Sequence, residues 1–250
     1  MSLKYAALRM LLLCVSVPSI MWSAHILSIS SASQTIAIIG QGIQRGETYA
    51  EDQIAALVSQ RPHSQDQFCD SKRLNGQLFI NLKLAELSLN GQNISLLNDR
   101  LTEVSRTSHR VIDCSSLNGF AWLALYWSRG NSEGFDEKAL NYLMHSYVVA
   151  PREGWIAAKR NIFGIRNFDS LPDTHKNDVM LEWQELVRNF AFEAATTSLK
   201  EASSILRVQL LARQTEIDDR HWRLFVRHLD RSGYEIPELV INEDRRQLWR

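Results

Sequence analysis

The chain has 250 residues, 45% hydrophobic and 22% charged, which is enough to build a sizeable core in one large domain or two small ones. Its 28 basic residues balance 28 acidic ones, and this speaks against a nucleic-acid binder, because neutralising phosphates calls for a basic excess. With 11 Gly and 5 Pro there are few turn formers for an all-β fold, so the expected fold class is all-α.

The first element is an uncharged run from Met10 to Ser30, preceded by Lys4 and Arg9. About 20 such residues in a helix span ~30 Å, the thickness of a bilayer core. Two readings stand: a signal anchor that stays in the membrane, or a signal peptide cut at the small residues Ser30-Ser31-Ala32. The run's length favours the anchor. In both readings the basic flank stays inside and the chain beyond about residue 33 leaves the cytoplasm. Cys14 follows the bulky Leu13 and not a small residue, so it reads as a membrane-embedded thiol and not as a lipoprotein cysteine.

The exported region, 33–234, is a succession of helical patterns with short breaks, and 235–250 reads as a polar tail. "SQTIAIIGQGIQR" and "YAEDQIAALVSQ" come first and end at Pro62. "QFCDSKRLNGQLFINLKLAELSLN" follows and stops at Asn90-Gly91, a helix-end signal. In the next segment Ile94, Leu97, Leu101 and Val104 recur at helical spacing and predict one apolar face. Cys69 and Cys114 flank these two segments. An even pair in an oxidising compartment is a disulfide candidate, and the alternative is two buried thiols.

Two helices separated by "GNSEG" follow, then "EGWIAAKRNIFGIRNF", a break at Leu171-Pro172, and three more patterns. These are residues 175–195, 199–214 and "EIDDRHWRLFVRHLDRSG". Short connections make successive helices antiparallel neighbours, so a stack of helical hairpins is expected after the N-terminal hydrophobic helix.

Across residues 117–151, Phe120, Leu123, Ala124 and Trp127 lie on one helix, and Ala139, Leu143, Ser146 and Pro151 on the next. Small residues at 124, 139 and 146 permit close helix approach, and Pro151 stops the second helix. This arrangement resembles a tetratricopeptide repeat. A weaker echo runs through Ile36, Ile39, Gly40 and Ile43, then Ala50, Ile54, Leu57 and Pro62. The resemblance implies a helical repeat that binds proteins. Cys69, Cys114, the "AWLALYW" run and the stretch Pro151 to Asn161 also resemble uncharacterised bacterial proteins found with exopolysaccharide production genes. That second resemblance implies a role in making or exporting a surface polysaccharide, and it carries no activity over.

No phosphate-binding glycine loop, serine elbow or histidine-glutamate zinc motif occurs in the sequence. No cofactor, metal site or catalytic residue is expected. His221 and His228 share a helical face but lack zinc-site spacing and read as exposed. Glu51-Asp52 and Asp218-Asp219 read as helix N-terminal charges. In "RNIFGIRNF" the expectation is that Phe163 and Phe168 point inward while Arg160 and Arg166 point outward. Arg220, Arg223 and Arg227, with Trp222 beside them and Arg231 beyond, are the interaction candidates: guanidinium forks and an aromatic suit an acidic partner, an anionic sugar or a lipid headgroup. The same pattern also fits a solvated helix face whose charges offset the macrodipole.

The expected function is a non-catalytic, membrane-tethered scaffold with protein partners, including membrane polysaccharide-assembly components, and no nucleic acid. The alternative is an enzyme acting on glycans or peptidoglycan through a carboxylate, with Glu182, Glu185 and Glu193 as the available residues. A buried acid in a cleft, with its pKa pushed up, distinguishes the two.

Overall fold

The computed structural model describes residues 3–59, 69–91, 94–151 and 153–234, and they are helical with no strand among them. The chain divides into two compact units after Ser116. The C-terminal tail and Pro62, which closes the weaker repeat echo, lie outside the described residues.

In the first unit, α1 (Leu3–Gln44) is one unbroken helix, so the apolar run and the following "SQTIAIIGQGIQ" are continuous, with Pro18 inside. Residues 13–23 are exposed on every side, including Ile20, Met21 and Trp22, and Cys14 is a free thiol there. Among the described residues, no helix is long and apolar enough to cross a membrane. Further along, α1 packs on α3 (Ser71–Asn90). Two glycines make that crossing close: a Cβ on Gly40 would overlap the backbone of Gly76, and one on Gly76 would overlap that of Ile36.

The short helix α2 (Glu51–Ser59) carries Glu51 and Asp52 in its first turn, where they favour the helix dipole. Its Ile54 and Val58 join Ile80 and Leu84 of α3 in a core that Ile36, Ile39 and Ile43 of α1 pack against. Asp70 caps α3, accepting a hydrogen bond from the Arg73 backbone N–H at 3.1 Å.

The helix α4 (Ile94–Cys114) lies against α3 and buries Leu101, Val104 and Val111, whereas Ile94 is 74% exposed. The predicted apolar stripe therefore faces the core only in its later part. Between the two helices the buried Asn81 side chain donates to Thr107 Oγ1 at 2.9 Å. Cys69 and Cys114 form a disulfide, with Cα atoms 5.5 Å apart, that ties the start of α3 to the end of α4.

The second unit begins with the hairpin of α5 (Gly119–Ser132) and α6 (Glu137–Val149). Asn118 and Asp136 cap them, accepting from the N–H groups of Ala121 and Ala139 at 3.0 and 2.9 Å. The turn passes through Gly134 at φ 105°, a left-handed conformation that glycine adopts without steric cost. Ala124, Ala139 and Ser146 are buried at the helix contact, as the small-residue pattern requires.

Then come α7 (Gly154–Arg166), α8 (Asp173–Arg188), α9 (Phe192–Glu201), α10 (Ser204–Ala212) and α11 (Asp219–Arg231), with α7, α8 and α9 in mutual contact. Two predicted helices are cut in the structure. The 175–195 segment breaks at Phe190, which has φ 61°, and the 199–214 segment breaks at Ala202-Ser203, where the Ser203 hydroxyl caps α10.

Candidate functional site

The best-organised polar cluster lies inside the second unit, where α6, α7 and α8 meet. Arg160 of α7 is fully buried (0% exposed). It sits on the apolar stripe of Ile156, Ala157, Gly164 and Ile165, so the helix that buries these residues must also bury the guanidinium. This corrects the expectation that Arg160 points outward; Arg166 does point outward and pairs with Glu201 at 3.0 Å. Phe163 is half-buried, stacked on Tyr126 with ring centroids 5.2 Å apart.

The Arg160 fork is well used. Its Nε donates to Glu182 Oε1 at 3.1 Å, and a terminal nitrogen makes a shorter contact with the same oxygen. Another donates to the Ser146 carbonyl at 2.5 Å and to its hydroxyl at 3.1 Å, and a further bond reaches the Ala150 carbonyl at 3.1 Å. The guanidinium carbon stands 4.0 Å from the centroid of the Tyr147 ring, a cation–π contact. Asn161 donates to the Val179 carbonyl at 2.9 Å, adding a second tie between α7 and α8. The Ser146 hydroxyl in turn donates to the Gly119 carbonyl of α5 at 2.8 Å. Four successive helices thus share one hydrogen-bonded node.

Burial pushes the Glu182 carboxyl above its ordinary pKa, and the Arg160 charge opposes that shift. Burial also pushes the Tyr147 phenol well up. Glu182 meets the raised-pKa half of the criterion for a catalytic acid. The other half calls for an open cleft, and Glu182 is 5% exposed with its carboxylate held by the Arg160 fork. What this arrangement does chemically is bind α8 to α7, and through Arg160 to the end of α6. Glu185 and Glu193 are exposed, with Glu185 paired to Arg188 at 2.6 Å.

The α11 candidates separate. Arg220, Arg223 and Arg227 are exposed, and Arg223 approaches Asp219 at 4.0 Å. Trp222 turns into the core at 8% exposure against Phe225, so it does not share their face. Asp218 caps the helix, accepting from the Arg220 N–H at 2.9 Å, and its carboxyl is held below the ordinary range by that bond and by one to His221. His221 and His228 are half-buried and not free on the surface: they stack on Phe190 and Phe192, at 4.7 and 5.7 Å.

The sequence did carry a signal for the node. Arg160 and Glu182 each stand at helical spacing among residues of a buried stripe, Glu182 beside Val179, Trp183 and Leu186. No signal placed Phe190 against His221. Among the described residues, no group of three His, Cys, Asp or Glu side chains could hold a metal. No protein-family model, no curated protein and no solved structure matches this chain.

Proposed function

We propose that the protein is a non-catalytic scaffold, tethered to the bacterial inner membrane by α1, with its helical hairpins presented on the periplasmic side to partner proteins of surface-polysaccharide synthesis or export. The observation that carries this reading is the Arg160 node. The most polar buried cluster described is committed to clamping helices α5 to α8 together, as a stacked-helix framework needs. The tetratricopeptide-like pairing of α5 with α6, through Ala124, Ala139 and Ser146, supports the same reading.

The tether is supported by residues 13–23 of α1, which leave apolar side chains outward all round. The Ser19 hydroxyl there donates to the Val15 carbonyl at 2.8 Å, so it is satisfied within the helix as lipid demands. The polysaccharide assignment rests on the family resemblance around Cys69, Cys114 and Pro151 to Asn161. The test is purification of the tagged full-length protein from solubilised membranes of its own host, with partners identified by mass spectrometry. Recovery of polysaccharide polymerase or export components is the expected result, and a partnerless protein recovered in the soluble fraction refutes both parts.

The enzyme reading has one observation in its favour, the raised pKa of Glu182. It requires the node to open. If Glu182→Gln keeps the fold and the host phenotype intact, that reading is finished.

A further inference from the structure

A helix on the outside of a protein shows one apolar stripe to the core and polar residues to water, but α10 is apolar on both sides. Leu206, Leu210 and Leu211 are buried. On the opposite side Ile205 is 74% and Val208 51% exposed, and Ala212, also exposed, follows them at helical spacing. The charge that α10 carries, Arg207, does not screen this stripe: its guanidinium turns back to the end of α9, donating to the carbonyls of Leu199 at 3.4 Å and Ala202 at 3.0 Å. A helix with apolar residues all round is one that something covers.

The described chain ends at the same turn of α9. After α11 the backbone reverses through Gly233 at φ 64°, and the Tyr234 N–H donates to the Leu229 carbonyl at 3.0 Å. The Tyr234 ring then meets Lys200, whose ammonium stands 5.4 Å from the ring centroid. Lys200 follows Leu199, the residue that Arg207 of α10 grips, so the exit of the tail and the first turns of α10 adjoin. Sixteen residues, 235–250, continue from there. Extended, they reach ~50 Å, against ~14 Å for the length of α10.

The start of that tail has the composition to cover the stripe. "EIPELVI" holds Ile236, Leu239, Val240 and Ile241, with Glu235 and Glu238 among them. Its two carboxylates suit the cations of this end, Lys200 and Arg207, while Glu201 next to Lys200 is already paired with Arg166 at 3.0 Å. The area of the stripe decides between occupants. Two side chains and an alanine expose far less than the ~800 Å² per partner that a stable complex of separate chains buries. A tethered segment needs no such area, because its effective concentration is in the millimolar range.

We propose that the chain's own C-terminal segment, Ile236–Ile241, folds back over Ile205 and Val208, so that the outer face of α10 is closed from within and not offered to a partner.

The test is photo-crosslinking of the full-length chain in its host, with p-benzoylphenylalanine in place of Val208 and, separately, of Ile205, both exposed positions that tolerate a larger ring. The expected result is an adduct at the mass of a single chain in which the probe is joined to the tryptic peptide 232–245, which contains the proposed segment. Leu239→Asp with Val240→Asp should lower its yield at least about tenfold, since each buried side chain lost weakens docking by about that much. Leu239→Met with Val240→Leu should keep it. An adduct with a second copy, with another protein or with a different peptide of the chain overturns the proposal. So does the absence of an adduct from both probes, or a yield indifferent to the aspartate pair.

Discussion

Replacing Arg160 with Ala tests whether the buried node holds the second unit together. The substitution removes a guanidinium that is 0% exposed, and with it the bonds to Glu182, Ser146 and Ala150. It leaves Glu182 buried with no cation beside it. Breaking a buried pair from one side costs about 3–5 kcal/mol, because the remaining charge is neither solvated nor compensated. At about 2–4 °C per kcal/mol for a chain of this size, the thermal midpoint falls by roughly 6–20 °C. Urea unfolding followed by circular dichroism measures the free energy.

The pH dependence adds a signature that simple loss of packing lacks. Glu182 already has a raised pKa in the fold, and removing the opposing Arg160 charge raises it further. A carboxyl raised on folding contributes stability that is complete below its unfolded value, near ~4.3, and that is lost as pH climbs through the raised value. The deficit of the variant relative to the parent therefore widens as pH rises above the ordinary carboxylate range. Replacing both partners, Arg160→Met with Glu182→Leu, removes the uncompensated charge and recovers most of the loss. A single-variant deficit below about 1 kcal/mol, or one that is flat with pH, refutes the reasoning.

Other perturbations read other parts of the chain. Reducing the Cys69–Cys114 bridge, whose partners are 45 residues apart, should lower the stability of the first unit by up to about 4 kcal/mol, read as a urea midpoint with and without reductant. Gly76→Val forces α1 away from α3 and should cost at least about 1–3 kcal/mol in the same assay, whereas Gly91→Val, at an open helix end, should be far milder. The Asp218 cap depends on its ionised form. A carboxyl lowered on folding stabilises above its ordinary range and loses that contribution as pH falls through its depressed value, so Asp218→Asn should flatten the acid loss of helicity.

Much of the fold is readable from local chemistry alone. Asp70, Asn118, Asp136 and Ser203 each offer an oxygen to the open N–H groups of a helix start, and each helix begins there. The alternation of large and small residues at 123, 124, 139 and 146 specified a close helical hairpin, because the size of a side chain sets how near two axes come. On sequence alone Cys69 and Cys114 stand as either a bridge or two buried thiols, and the α3–α4 hairpin supplies the geometry that brings the two ends together.

What only the tertiary structure decided are the features that depend on which stripe meets which. Helical spacing sets Arg160 on an apolar stripe, but which groups meet its charge there is decided by its neighbours in space. Arg160 became a core residue because a carboxylate on α8 and two carbonyls at the end of α6 converge on it. Trp222 and the arginines of α11 are adjacent in sequence, but 100° per residue turns the indole into the core and leaves the charges outside. Phe190 breaks a helix that its sequence continues, and its ring rests on Phe192, two residues along, and on His221, a partner that no local pattern contains. Caps, periodicity and side-chain size act within a few residues and are written in the sequence. Burial of charge and the meeting of separate helices exist only once the chain has folded.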